Sequence, residues 1–149
     1  MTPSAPARRS TGFTLVELVI VIAIAGVLAW MALPSFADAL RRSRRSEAVA
    51  ALMQLQQAQE RWRGDHSGYA IELTTLGVAE RSATGLYTLA IDSADARGYL
   101  ISATATGSQV ADARCRVFRL SQSGALTVYA SVDAAQAESS GTPNPCWSV

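Results

Sequence analysis

A chain of 149 residues with 17% charged and 49% hydrophobic residues is not a disordered polyelectrolyte, and it is long enough for one ordinary domain plus an anchor. The formal net charge of +1 is too small to imply a nucleic-acid partner by itself. All 13 basic residues are arginine, which codon bias would produce, although arginine is also the better bidentate partner for carboxylates and phosphates.

Residues 1 to 12 are polar and carry Arg8 and Arg9, and a long apolar run starts at Phe13. From Leu18 to Ala37 there is no charged residue. At about 1.5 Å rise per residue that run spans roughly 30 Å, the thickness of a bilayer's hydrocarbon core. A cleavable signal peptide ending at Ala23-Ile24-Ala25 would leave a short apolar core interrupted by Glu17, a poor reading. A plain signal anchor fits the run better but gives no reason for Glu17. That carboxylate costs about 2.5–3.5 kcal/mol inside a membrane, and no basic residue within the run is available to pair with it.

The residues around it, Gly12-Phe13-Thr14-Leu15-Val16-Glu17, closely resemble the processing site of type IV prepilins, with their class III-type signal. The resemblance implies a cleaved leader, 1–12, cut by a prepilin peptidase between Gly12 and Phe13, and N-methylation of the new Phe13 amine. It also implies that Glu17 serves subunit assembly by pairing with the Phe13 amine of a neighbour, removing two desolvated charges together. Gly26 and Pro34 sit where pilins carry helix-weakening residues, and Leu33-Pro34-Ser35-Phe36 is similar to the segment that follows in that family. A static kink is the plainer role for both.

Arg41, Arg42, Arg44 and Arg45 follow the apolar run. Counted as flanking positives, they would put the C-terminal side in the cytoplasm. The prepilin signature and the cysteines instead require the C-terminal domain outside, and pilins of the minor pilin E type carry a similar arginine-rich stretch.

Helical character continues past the membrane part. Ala48, Leu52, Leu55 and Trp62, with Gln59 filling the stripe imperfectly, form the apolar face of an amphipathic helix, and Gly64 is a sensible stop. The expected helix is therefore 13–63, with 13–37 for the membrane and polymerisation and 38–63 amphipathic. At about 1.5 Å per residue it would run roughly 75 Å, too long for so small a domain to bury. Residues 64–149 make the head. Glycine-rich 64–85 reads as a connecting loop with a short helical turn. Within 86–131 the period changes to two: Leu86–Ile91 and Tyr99–Thr106 form one expected hairpin, and Arg116–Leu120 and Ala125–Ser131 another. Residues 132–149 read as loop, rich in Ser, Gly and Pro. Cys115 and Cys146 are the only cysteines, and behind an export-type N-terminus they read as one disulfide, with two buried free thiols as the alternative.

Little else suggests chemistry. His66 is the only histidine, and no phosphate loop or zinc spacing occurs. Asp92 and Asp95 resemble the start of a calcium loop but lack further oxygen ligands, so turn formation is the better reading. No catalytic residue, metal or cofactor is expected. Arg114, Arg116 and Arg119 are a second basic cluster. In strand geometry the first two share a face. Some pilins of this group bind DNA during uptake, which makes these three candidate DNA contacts; a solvated strand edge paired with acids is the alternative.

The expected architecture is thus α+β, the type IV pilin fold, with one long helix on an antiparallel sheet of about four strands. The stretch Leu33–Tyr69 most resembles the minor pilin E group. By that resemblance the chain is a minor pilin of a type IV pilus, serving adhesion, twitching motility and DNA uptake. Its partners would be other pilin subunits, prepilin peptidase, an inner-membrane assembly platform, membrane lipid before assembly, and DNA. It would lie in the bacterial inner membrane with a periplasmic C-terminal domain, then on the cell surface. A filament-displayed DNA receptor for transformation and a pseudopilin of type II secretion are the alternatives.

Overall fold

The computed structural model describes residues 13–141 and 143–148, leaving aside the side chains of 31–35. Met1 to Gly12, with Arg8, Arg9 and the leader side of the expected processing site, therefore lie outside the described residues. One helix, α1, runs Leu15–Asp65 and is followed by a single 3-10 turn, Thr74–Leu76. Next come β1 (Tyr87–Ala94), β2 (Gly98–Ala105), a second 3-10 turn (Gly107–Ala111), β3 (Val117–Ser123), β4 (Leu126–Val132) and β5 (Glu138–Ser140). The sheet is antiparallel throughout, in the order β1-β2-β3-β4-β5. By internal contacts the chain divides into two units, 1–37 and 38–149.

Thr14 starts α1 because its hydroxyl accepts the Glu17 N–H at 3.2 Å, a side-chain cap on an otherwise unpaired helical amide. Thr14-x-x-Glu17 is also the spacing of a capping box, which gives Glu17 a local reason to exist alongside any partner elsewhere. Around the described apolar part of α1 there is no cover: every large apolar side chain there is at least half exposed, from Val19 at 50% to Leu15 at 79%. Among the described residues no helix is long and apolar enough to cross a membrane, and the expected span over 13–37 includes 31–35, whose side chains lie outside the description. Leu15 to Trp30 covers about 24 Å at 1.5 Å per residue, short of the roughly 30 Å core, and 31–35 follow it.

In the second unit α1 buries Ala48, Ala51, Leu52, Leu55, Ala58 and Gln59. The sheet answers with Tyr87 and Leu89 of β1, Tyr99, Ile101, Ala103 and Ala105 of β2, and Phe118 and Leu120 of β3. These alternate along each strand, as a sheet with one buried face requires. Register keeps them in rows: Leu89 is opposite Ala103, which is opposite Phe118, and Ile91 is opposite Ile101, which is opposite Leu120. Gln59 is a full member of this interior. Its amide donates to the Ala70 carbonyl at 2.8 Å and accepts the Ala70 N–H at 2.9 Å, so a polar side chain is buried without loss. Trp62 departs from the expected stripe: it is half-buried and stacks on His66 with centroids 3.5 Å apart.

The tail corrects the sequence reading most. Residues 132–149 were expected as loop, yet Glu138–Ser140 pairs with Ala130–Val132 as a fifth strand. It is short and wholly exposed, so it has no apolar alternation to betray it. What holds it comes from outside the strand: Arg119 pairs with Glu138 at 2.6 Å, and the Asn144 amide donates to the Ser139 carbonyl at 2.9 Å. Cys115 and Cys146 are bonded, closing a separation of 31 residues. Such a loop is worth about 3–4 kcal/mol by the chain-entropy argument. Trp147 completes the closure, donating its indole N–H to the Ala130 carbonyl at 2.9 Å and meeting Phe118 edge-on.

Candidate functional site

Two features of the chain are not explained by its own packing. The first is the exposed apolar half of α1. Besides the Thr14–Glu17 cap it carries Gly26, where an added Cβ would meet nothing within 4 Å. Among the described residues no close approach accounts for a glycine at this position. Gly26 and Pro34 both lie within α1.

The second is a cleft of about 220 Å³ in the second unit, lined by Asp38, Arg41, Arg42, Arg45, Asp112 and Arg114 with Ala111 and Ala113. Its floor is a buried ion pair. Arg45 donates through Nε to Asp112 Oδ2 at 2.7 Å and through Nη2 to Oδ1 at 2.9 Å, a two-pronged geometry in which both residues are under a tenth exposed. Gln109 ties the floor to the helix, donating to the Arg41 carbonyl at 3.0 Å. At the rim Arg41 pairs with Asp38 at 2.5 Å. Arg42 and Arg114 are exposed and have no carboxylate partner among the described residues.

The structure separates the three arginines expected to act together on DNA. Arg114 precedes β3 and faces the cleft. Arg116 donates to the Val110 carbonyl at 2.8 Å, and Arg119 is occupied by Glu138 on the other side of the sheet. Of the two aspartates of the first hairpin, expected as turn formers, Asp95 forms the turn while Asp92 lies within β1. Asp92 accepts the Ser102 hydroxyl at 3.0 Å, at a bulge between Ile91 and Ser93. Asp95 accepts the N–H groups of Arg97 and Gly98, which hold its carboxyl below the usual range. Glu47, beside the cleft's arginine run, is pushed up by burial, but bonds from Ser82 and Thr84 and the nearby Arg44 outweigh this and keep it low. His66 takes part in helix termination, its Nδ1 2.9 Å from the Trp62 carbonyl. Among the described residues no group of three or more metal-ligating side chains comes together.

Sequence reasoning missed the Arg45–Asp112 pair and so missed the cleft. The partners are 67 residues apart, and nothing marks Arg45 off from Arg41, Arg42 and Arg44. The only signal was Asp112 itself, an acid in the otherwise small and apolar stretch Val110–Ala113.

A sheet-backed amphipathic helix whose apolar N-terminal extension has no cover, begun by Thr14 and Glu17 and joined to a disulfide-closed head, defines a type IV pilin. Comparison with known proteins gives the same class. The family described as "Type IV minor pilin ComP, DNA uptake sequence receptor" matches residues 34–119, more than half of the chain, and the chain belongs to it. The prokaryotic N-terminal methylation motif matches residues 7–33. A fimbrial protein of Neisseria meningitidis is 35% identical over 66% of this chain and 57% of its own length. The type IV major pilin protein PilA of Myxococcus xanthus is 34% identical over 70% of this chain and 43% of its own. The wide-pilus major component PilA4 of Thermus thermophilus is 34% identical over 69% and 79%. The chain thus spans about half the length of the first two relatives.

Proposed function

We propose that this chain is a structural, non-catalytic subunit of a type IV pilus, of the minor kind, made as a membrane-anchored precursor. Residues 1–12 are its leader. Prepilin peptidase cuts between Gly12 and Phe13, the Phe13 amine is methylated, and 13–37 anchors the chain in the inner membrane with 38–149 in the periplasm. The assembly platform then draws the subunit into a filament of pilins that serves adhesion, twitching motility and DNA uptake. The observation that carries this reading is the apolar part of α1, exposed on all sides and bearing one carboxylate, which requires lipid or neighbouring helices around it. Glu17 then meets a neighbour's Phe13 amine, while Gly26 and Pro34 let the helix loosen on leaving the bilayer.

The test separates the cap from the charge. Glu17→Gln keeps a side chain able to complete the capping box but cannot neutralise an amine. Removing one partner of a buried ion pair costs about 3–5 kcal/mol, a hundredfold or more in association. Surface pili counted by electron microscopy should therefore fall by at least about tenfold, with N-terminal sequencing of the cell-bound protein still starting at Phe13. Pili at normal density would overturn the pairing, and a start elsewhere would overturn the processing.

A second reading, a DNA receptor displayed on the filament, is supported by the family description and by the two uncompensated arginines of the cleft. It calls for a salt-dependent gel shift with full-length protein and duplex DNA. A pseudopilin of type II secretion is the third; deleting the gene would then block export and leave pili intact.

A further inference from the structure

We infer that the cleft between Arg42 and Arg114 holds the headgroup phosphate of an anionic phospholipid while the subunit waits in the membrane. The inference rests on the membrane-anchored reading above and adds a specific ligand to it. Its first support is the charge balance of the cleft, where four arginines face two aspartates. Both aspartates are spoken for, Asp112 by Arg45 and Asp38 by Arg41. What remains is two guanidinium groups, one from α1 and one from the segment before β3. Both line the one cleft, and the segments that carry them are tied together: Arg114 adjoins the bonded Cys115, and Gln109 and Asp112 hold that same segment to Arg41 and Arg45 of the helix. Two planar five-donor groups held across a small cleft suit a phosphodiester oxygen pair.

Position along the chain favours lipid as the source of that phosphate. Arg41 and Arg42 come four and five residues after Ala37, the end of the uncharged run, so they stand about 6–8 Å beyond it along a helix. A bilayer's polar layer adds about 5–7 Å on each side of the hydrocarbon core, so this is the depth of the headgroup phosphates. An anionic headgroup such as phosphatidylglycerol leaves its phosphate unopposed, whereas a zwitterionic one brings its own cation to compete. The same chemistry would accept free phosphate or the DNA backbone, and the experiment must tell these apart.

Full-length protein is placed in nanodiscs of equal parts phosphatidylglycerol and phosphatidylcholine, extracted in mild detergent, and analysed by native mass spectrometry. One phosphatidylglycerol should stay bound per chain in preference to phosphatidylcholine. The Arg42→Gln/Arg114→Gln protein should lose that preference by about thirtyfold, the effect expected of two arginines at an anionic surface. Arg61→Gln/Arg97→Gln, which removes two exposed arginines outside the cleft, should keep it. Because neither the Arg42 nor the Arg114 side chain makes a hydrogen bond or ion pair among the described residues, circular dichroism of the double variant should match the parent; Arg42→Gln alone, expected to lose about fivefold, serves if it does not. Equal retention of both lipids, or retention unchanged in the double variant, overturns the inference. Displacement of the lipid by millimolar inorganic phosphate assigns the cleft to a soluble anion and overturns it too. So does a duplex DNA shift that depends on Arg42 and Arg114 while lipid retention does not. A chain that fails to enter nanodiscs at all refutes the anchor reading instead, and with it this one.

Discussion

Asp112→Ala should lower the stability of the head by about 3–5 kcal/mol, because it leaves the Arg45 guanidinium buried with no counter-charge. The loss has two parts. Arg45 forfeits two short charge-assisted bonds, and Gln109 loses an acceptor that its amide reaches at 3.4 Å. Since Gln109 and Asp112 together hold the segment before β3 to α1, the damage should centre there. Thermal melting followed by circular dichroism measures the total, and hydrogen exchange at Val110–Ala113 locates it. Replacing both partners, as Arg45→Met with Asp112→Leu, should restore most of the stability, because two apolar groups have no desolvation to repay. A single variant that melts like the parent, or a double variant no better than the single, would show that the pair is not the tie described.

Gly98→Ala should be comparably severe, at about 3 kcal/mol or more, which for a head of this size is a fall of roughly 10–20 °C in Tm. A Cβ at position 98 would stand 2.0 Å from the Gln122 carbonyl oxygen, 3.0 Å from its carbon and 3.2 Å from the Ser123 Cα. All three are backbone atoms of β3, paired with β2 across Gly98–Ser123 and Tyr99–Gln122, so relief requires opening the ladder. The turn that feeds β2 would be dragged with it, since Asp95 receives the Gly98 N–H and gives its own to the Gly98 carbonyl. Gly64→Ala is the control: nothing lies within 4 Å of the added carbon, and in a helix the change should move stability by less than about 1 kcal/mol. Equal melting of the two variants would refute the steric account.

How much of this was legible in advance depended on whether a feature repeats. The helix was read nearly to its ends, because apolar spacing persists over many turns and Gly64 ends it beside the observed Asp65. Four strands were found by their alternation, each displaced by a few residues at most. β5 was invisible because three exposed residues have no pattern, and its pairing is decided by Asn144 and Arg119 from elsewhere in the chain. Trp62 was assigned to the core on spacing alone, but a ring at the last turn of a helix can turn back onto the chain that leaves it, which is what His66 offers. The cleft was beyond reach for a different reason: a contact between residues 45 and 112 leaves no local trace. The three candidate DNA arginines have different surroundings, because Arg114 and Arg116 precede β3 while Arg119, within it, is paired with Glu138.

The order in which the strands lie has a consequence for biogenesis. Each strand pairs with the one just before it in the chain, so the sheet can be laid down in sequence as the polypeptide is delivered, N-terminal end first, with no strand waiting for a distant mate. Oxidation is the exception. Cys115 must stay reduced and open to solvent until Cys146 arrives, after the last strand has formed. A cell deprived of its thiol oxidase should therefore accumulate subunits with three sound strands and a frayed final hairpin, species that a protease would clip near the C-terminus and leave otherwise intact.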